Sequence, residues 1–466
     1  MLAPLLIASI SVLAGLLQPA RAASPEPLRA DTLEPYRTQD HPVLALPWRA
    51  YRVLVDPLGR FVIYAERTEL PRRVTDWFTN AERTFGLYPY AQLGGETGTG
   101  AGFTAFHTRL FGPGQLASAT CVLSAPRRQT AEATYHDANV LGSRWYWTMQ
   151  AGLLRTDSED ATINGFREAL EDGGQAEDDA GLRLTAVDAS SRLGWRPHAG
   201  ALEAYRRSAS VEVVLGYGLR DLGAPGPVLR PLPASGQTAA AARVEGLGER
   251  LSLFSAGVGL TLDDRDWRRP ARRVSHPLNY RLPGRVLLLA DDRYYALRDT
   301  VYPERGGLVR ATAEVVVGTG DAGFLRLGAE GQRFVTLFYR DRILALRARL
   351  DHVDPLSGRF VPYVDLPTLG GGQRLRGFKR GSFRGRGALL LAAEYRWPIW
   401  DTWNAYVFWE EGQVFDEYSQ VEGGRFRTSL GGGISLRTEQ ALLARVRVGH
   451  SAAEKALLGF ALEQEF

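Results

Sequence analysis

Beyond its first 22 residues the chain has no run approaching the roughly 18 to 20 consecutive apolar residues that a membrane helix needs, although 45% of its 466 residues are hydrophobic. From Thr84 to Phe466 apolar and polar residues instead alternate in segments of about ten, set apart by clusters of Gly, Asp, Asn and Pro. Gly102 to Phe111, Arg144 to Leu154, Ser210 to Leu219 and Phe334 to Tyr339 are examples. Alternation with period two places one face of a strand against each of two environments. A chain of this kind enters a membrane only as a closed barrel, which pairs every backbone N–H and C=O without helices. The carboxyl end fits that reading. Leu458, Phe460, Leu462 and Phe466 fall on one face, and Gly459, Ala461, Glu463 and Glu465 on the other. Phe460, Leu462 and the terminal Phe466 read as an outer-membrane insertion signal, interrupted by Gln464.

Residues 1–22 read as a secretory signal peptide: an apolar core followed by small residues at Ala20-Arg21-Ala22, although no Lys or Arg precedes the core. No Cys follows the apolar run, which argues against a lipoprotein. The single cysteine, Cys121, rules out an internal disulfide. Net charge is +4, and the basic residues are arginines except for Lys379 and Lys455. They are scattered among acids, so nucleic acid is not an expected partner. The seven histidines are dispersed, with no Ser/His/Asp grouping and no metal-ligand spacing. The expectation is therefore no enzyme, no cofactor and no metal.

Residues 23–83 are proline-rich and read as a short periplasmic segment. Tyr51 to Val55 and Arg60 to Glu66 form a possible strand pair around Asp56-Pro57-Leu58-Gly59. Pro71 to Arg83 forms a possible helix with Val74, Trp77 and Phe78 on one face. Residues 84–466 form the barrel. At about 24 residues per strand and connection they allow about 16 antiparallel strands.

Short connections at Arg437 to Gln440 and Pro398 to Thr402 alternate with longer ones at Ser451 to Glu454 and Asp416 to Gly424. Short turns belong on the periplasmic side, which places Pro367 to Arg386 in an extracellular loop. That loop crowds Arg374, Arg376, Lys379, Arg380, Arg384 and Arg386 among six glycines, with a seventh, Gly387, just after it. Cations so closely spaced need acidic partners. Strand parity puts Phe408, Glu410 and Gly412 on one face and Val407 and Trp409 on the other. An acid is costly on the lipid side, so Glu410 is expected in the lumen, with Glu394 a second candidate. One reading folds the loop into the barrel, with Arg376 bridging Glu394 and Glu410, for which a planar guanidinium suits better than an ammonium. The other leaves these residues as solvated lumen charges of a porin.

The run Phe360 to Phe378, ending Leu369-Gly-Gly-Gly-Gln-Arg-Leu-Arg-Gly-Phe378, resembles the BamA/TamA superfamily of outer-membrane assembly and secretion barrels, also called bacterial surface antigens. Gly381 to Arg386, Glu394-Tyr-Arg-Trp-Pro398, Phe408-Trp-Glu-Glu-Gly412 and the first hairpin, Phe85 to Tyr90 with Glu96 to Gly102, carry the same resemblance. It implies a 16-stranded transmembrane barrel in the bacterial outer membrane with a lumen-inserted sixth extracellular loop. Arg376, Gly377 and Phe378 would form the loop latch, and Glu394, Phe408, Glu410 and Gly412 its partners on the inner wall. Family members usually carry Asp where this chain has Glu410. Members that insert or secrete proteins carry periplasmic POTRA repeats. Residues 23–83 show one possible helix and no repeat, so a member lacking them is expected. The implied function is protein insertion, translocation or lipid remodelling, and the alternative is a passive porin or structural barrel. Outer-membrane lipid and lipopolysaccharide, with a protein substrate or periplasmic partner, are the expected contacts.

Overall fold

The computed structural model describes residues 77–82, 84–92, 100–112, 115–124, 128–140, 144–160, 181–196, 208–223, 246, 248–265, 278–282, 286–290, 303–337, 342–372, 374–399, 403–437, 442–452 and 456–461. Its strands are β1 (Phe85–Gln92), β2 (Gly100–His107), β3 (Gln115–Ser124), β4 (Arg128–Val140), β5 (Trp145–Asp160), β6 (Gly181–Trp195), β7 (Ser208–Gly223) and β8 (Arg250–Asp263). A separate hairpin follows, β9 (Leu278–Leu282) with β10 (Val286–Ala290). The large sheet resumes with β11 (Gly306–Gly318), β12 (Gly323–Thr336) and β13 (Ile343–Pro355). After the two-residue strands β14 (Thr368–Leu369) and β15 (Phe383–Arg384) come β16 (Gly387–Pro398), β17 (Trp403–Phe415), β18 (Arg427–Arg437), β19 (Leu442–Ser451) and β20 (Leu457–Ala461).

Sixteen of these strands form one antiparallel sheet in the order β1 to β8, β11 to β13, β16 to β20, each paired with the next in that order. It is an all-β barrel sheet with the expected strand number. Among the described residues, no ladder joins β1 to β20.

The two faces of the sheet differ as the alternation requires. Along β7, Val211, Val213, Leu215 and Tyr217 are exposed on the outer side, whereas Ser210, Val214 and Leu222 are buried on the inner side. Along β3, Leu116, Ser118, Thr120 and Val122 point inward, and Leu123 is exposed. An apolar outer surface around a mixed polar interior suits lipid outside and a lumen inside. Aromatic residues gather toward the sheet end that carries the 399–402 turn. Phe111, Tyr135 and Trp147 form a chain of edge contacts at 6.0 and 5.8 Å, and Tyr395 stacks on Trp397 at 5.4 Å. Such rings at the level of a membrane interface form an aromatic girdle.

Three expectations change in detail. Among the described residues of Pro71 to Arg83, only Trp77 and Phe78 are helical. Thr79 instead bridges to Gly86, and the Asn80 side chain turns the chain by accepting from the Phe85 N–H. The segment beginning at Phe334 is the end of β12, not the start of a strand, because Phe334 continues the pairing with Ala345. The alternation of short and long connections holds at the carboxyl end but not throughout. Residues 264–305, on the turn side, include the β9–β10 hairpin, whereas β3 and β4 are joined on the loop side by 125–127 alone. The predicted signal peptide, the strand pair near Asp56, Leu462 and Phe466 lie outside the described residues. Phe460 pairs with Val446, beside the outward Leu458.

Candidate functional site: the inserted loop and its wall contacts

The connection from β13 to β16, residues 356–386, is longer than the sequence expectation of Pro367 to Arg386. Its two arms pair through β14 and β15. Gly370 and Gly371, at φ 104° and 107°, begin a tight reversal in which the Gly370 N–H donates to the Arg374 carbonyl and the Gly371 N–H to the Phe378 carbonyl. A Cβ on Gly370 would stand 2.1 Å from the Lys379 carbonyl oxygen, so glycine is required there on both counts. Leu369, Leu375 and Phe378 then pack with Ala388 and Leu390 of β16 into a small apolar core, with Phe383 set edge-on to Phe378. This core presses the tip of the loop against the sheet. Leu375 itself is held at φ 73°, a left-handed conformation costly for a side chain. The turn aims the next backbone N–H at the wall.

Arg376 follows and is 1% exposed. Its Nε donates to Glu410 at 2.8 Å, its Nη1 to Glu394 at 2.5 Å, and its backbone N–H to the second Glu410 oxygen at 2.5 Å. The guanidinium lies 3.8 Å from the Phe408 ring centroid, a cation–π contact that covers its face. Gly377 donates its N–H to Ser429 Oγ at 2.6 Å. A Cβ on Gly377 would meet Ser429 Oγ and the His450 carbonyl oxygen at 2.6 Å, and one on Gly449 would meet the Arg376 carbonyl oxygen at the same distance. Two glycines thus let loop and strand backbones touch. Gly412 plays a milder part, since its absent Cβ would stand 2.9 Å from a Leu369 methyl.

The structure therefore brings Arg376, Gly377, Phe378, Glu394, Phe408, Glu410 and Gly412 to one place. It adds residues that sequence reasoning missed. Glu394, fully buried, also accepts from Arg396 at 2.7 Å and from Arg445 at 2.9 Å. Arg445 lies over the Tyr406 ring at 3.9 Å. Arg396 was within reach of sequence reasoning, because residues two apart on a strand share a face. Ser429 and Arg445 carried no such signal. Ser429 stands opposite Glu410 only through the register of β17 with β18.

Burial works against the charge on Arg376, but Glu410 and then Glu394 more than offset it, so its pKa lies above the usual arginine value. Arg374, two residues earlier, is pushed the other way by burial and by neighbouring Arg349, with Asp351 at 3.4 Å only partly compensating. This arrangement can hold a loop in a lumen. Among the described residues no group of His, Cys, Asp and Glu is placed to bind a metal.

Residues 293–448, which hold the loop, both carboxylates and Ser429, match the Omp85 superfamily domain. BamA from Haemophilus ducreyi, in a crystal structure lacking POTRA domains 1–3, aligns with a TM-score of 0.51 at 12% identity over 82% of this chain and 69% of that one. CdiB from Acinetobacter baumannii gives 0.45 at 10% identity, covering 81% and 59%, and CdiB from Escherichia coli 0.42 at 12%, covering 81% and 60%. The chain thus spans about three fifths of the two CdiB chains. No curated protein sequence matches it. Over residues 293–448 the chain is thus similar to the Omp85 superfamily domain, and its sheet shares the barrel fold of BamA.

Proposed function

We propose that this Omp85 superfamily barrel serves protein insertion or translocation at the outer membrane, with loop 356–386 as a latched plug in its lumen. The buried bridge from Arg376 to Glu394 and Glu410 carries this reading. Burying a cation between two carboxylates is expensive unless every partner is in place. Outer-membrane lipid and lipopolysaccharide are the proposed surroundings of the apolar outer face. A protein substrate or periplasmic partner is proposed to approach from the amino-terminal side. The reading involves no catalysis and no cofactor.

In vivo crosslinking from single positions in residues 23–83 and along β1, followed by recovery from membranes, should capture a discrete protein partner. In planar bilayers the barrel should show small, erratic openings. A steady large conductance with no crosslinked partner would favour the passive porin instead.

A further inference from the structure

The loop also touches a second stretch of wall, through residues that the Arg376 cluster does not involve. In the turn Tyr363–Asp365, the Asp365 carboxylate accepts from Arg220 of β7, with Nε and Nη2 both at 3.3 Å, and from Arg326 of β12 at 2.9 Å. Arg220 extends the chain of charges to Asp188 of β6 at 2.7 Å, and Arg326 extends it to Glu314 of β11 at 3.4 Å. Beside this anchor, Tyr363 and Val364 pack on an apolar cluster of Leu184, Ala186 and Leu222. Arg384, on the returning arm, donates to the Tyr363 carbonyl at 2.6 Å and lies over its ring at 4.3 Å.

The two fastenings differ in hydration. The Arg376 and Glu394 side chains are 1% and 0% exposed; at the second anchor Asp365 and Arg220 are 4% and 13% exposed, and the contrast lies in their outer partners Arg326 and Asp188, at 38% and 61%. A polar cavity of about 210 Å³ opens at the second anchor, lined by Asp188, Ser190, Arg192, Arg220, Glu314 and Asp365. Charges of both signs line it, which suits hydrated ions and small dipolar solutes of either charge. Solvated ion pairs are screened by salt, while a dry bridge is not.

We propose that Asp365 is a second, independent positioning residue of the loop. It holds the Tyr363–Asp365 turn of the leading arm across the polar cavity. When it lets go, the cavity widens into a path for small hydrophilic solutes while Arg376 stays docked. The inference rests on the loop lying inside the barrel and not on what the barrel transports.

The test uses the full chain with Cys121→Ala and a reporter Val364→Cys, read by the rate of thiol labelling with a water-soluble maleimide and by planar-bilayer conductance. Asp365→Asn should speed labelling roughly tenfold, the effect of losing a charge-assisted anchor. It should enlarge the conductance steps and leave heat-modified migration on gels unchanged. In the reporter protein with Asp365 intact, raising salt should speed labelling in the same direction, a measurement that needs no destabilised variant. Unchanged labelling in both Asp365→Asn and high salt would overturn the proposal. So would an equal rise on Arg376→Ala, because the two contacts would then act as one. Arg376→Ala that alters partner crosslinking but not Val364 labelling would support two separate anchors.

Discussion

Glu394→Gln is the most demanding test of the latch, because it removes one charge and almost no volume. Glu394 accepts from Arg376, Arg396 and Arg445 at 2.5, 2.7 and 2.9 Å, all from guanidinium groups about 1% exposed. With the carboxylate neutralised, Arg376, Arg396 and Arg445 all lose the charge of the acceptor they share, and the new amide NH₂ faces donors wherever it turns. Breaking a single buried pair costs on the order of 3 to 5 kcal/mol. Three cations depend on this carboxylate, so the expected loss lies toward the upper part of that range. The loss should show in reversible urea unfolding in detergent as a lower midpoint with an unchanged slope, since the surface exposed on unfolding is the same. It should also appear as a lower temperature for loss of the fast-migrating folded form. A Glu394→Gln barrel within about 1 kcal/mol of the parent, the size of one ordinary hydrogen bond, would show that the network is solvated. The latch reasoning would then fail.

Gly377→Ala should cost roughly 1 to 3 kcal/mol through forced displacement. Its Cβ meets Ser429 Oγ and the His450 backbone at 2.6 Å, so the loop should also become open to added protease. Glu410→Asp shortens the arm that now reaches both the Nε and the backbone N–H of Arg376. A loss of about 1 kcal/mol, one hydrogen bond, is expected by urea titration. Full retention would mean that the loop follows the shorter carboxylate. Val213→Arg, on the exposed outer face of β7, should cost roughly 2 to 4 kcal/mol in lipid vesicles if that position faces the bilayer core. The same change at Ser190, beside the lumen cavity, should cost far less. Equal penalties would contradict the assignment of the faces.

Much of the architecture was legible because a strand's faces follow from sequence position alone. Parity placed Phe408 and Glu410 together on the inner face of β17 and Val407 and Trp409 outside, where both are exposed. The Arg- and Gly-rich run identified the loop, and chain length identified the number of strands. The loop's leading arm was missed because Phe360 to Leu366 reads as one more apolar and polar segment. Its single acid, Asp365, has meaning only against Arg220 and Arg326. The helix expected to reach Arg83 does not continue past Phe78 among the described residues: the pairing of Thr79 with Gly86 and the Asn80 turn satisfy backbone groups that a helix would otherwise hold.

The sequence by itself determined that this chain makes strands with an apolar outside and a polar inside, and that one loop carries more cations than it can solvate comfortably. Alternation is a local property, readable along a single strand. Which carboxylate meets which arginine is decided by register and by the curvature of the sheet. Ser429 comes opposite Glu410 through one ladder, and Arg445 reaches Glu394 from a strand fifty-one positions further on. Only the tertiary structure decided that Glu394 gathers three arginines, that Gly377 and Gly449 let two backbones touch, and that the loop is fastened again at Asp365. Contacts between distant strands depend on angstrom-scale placement that no residue pattern encodes.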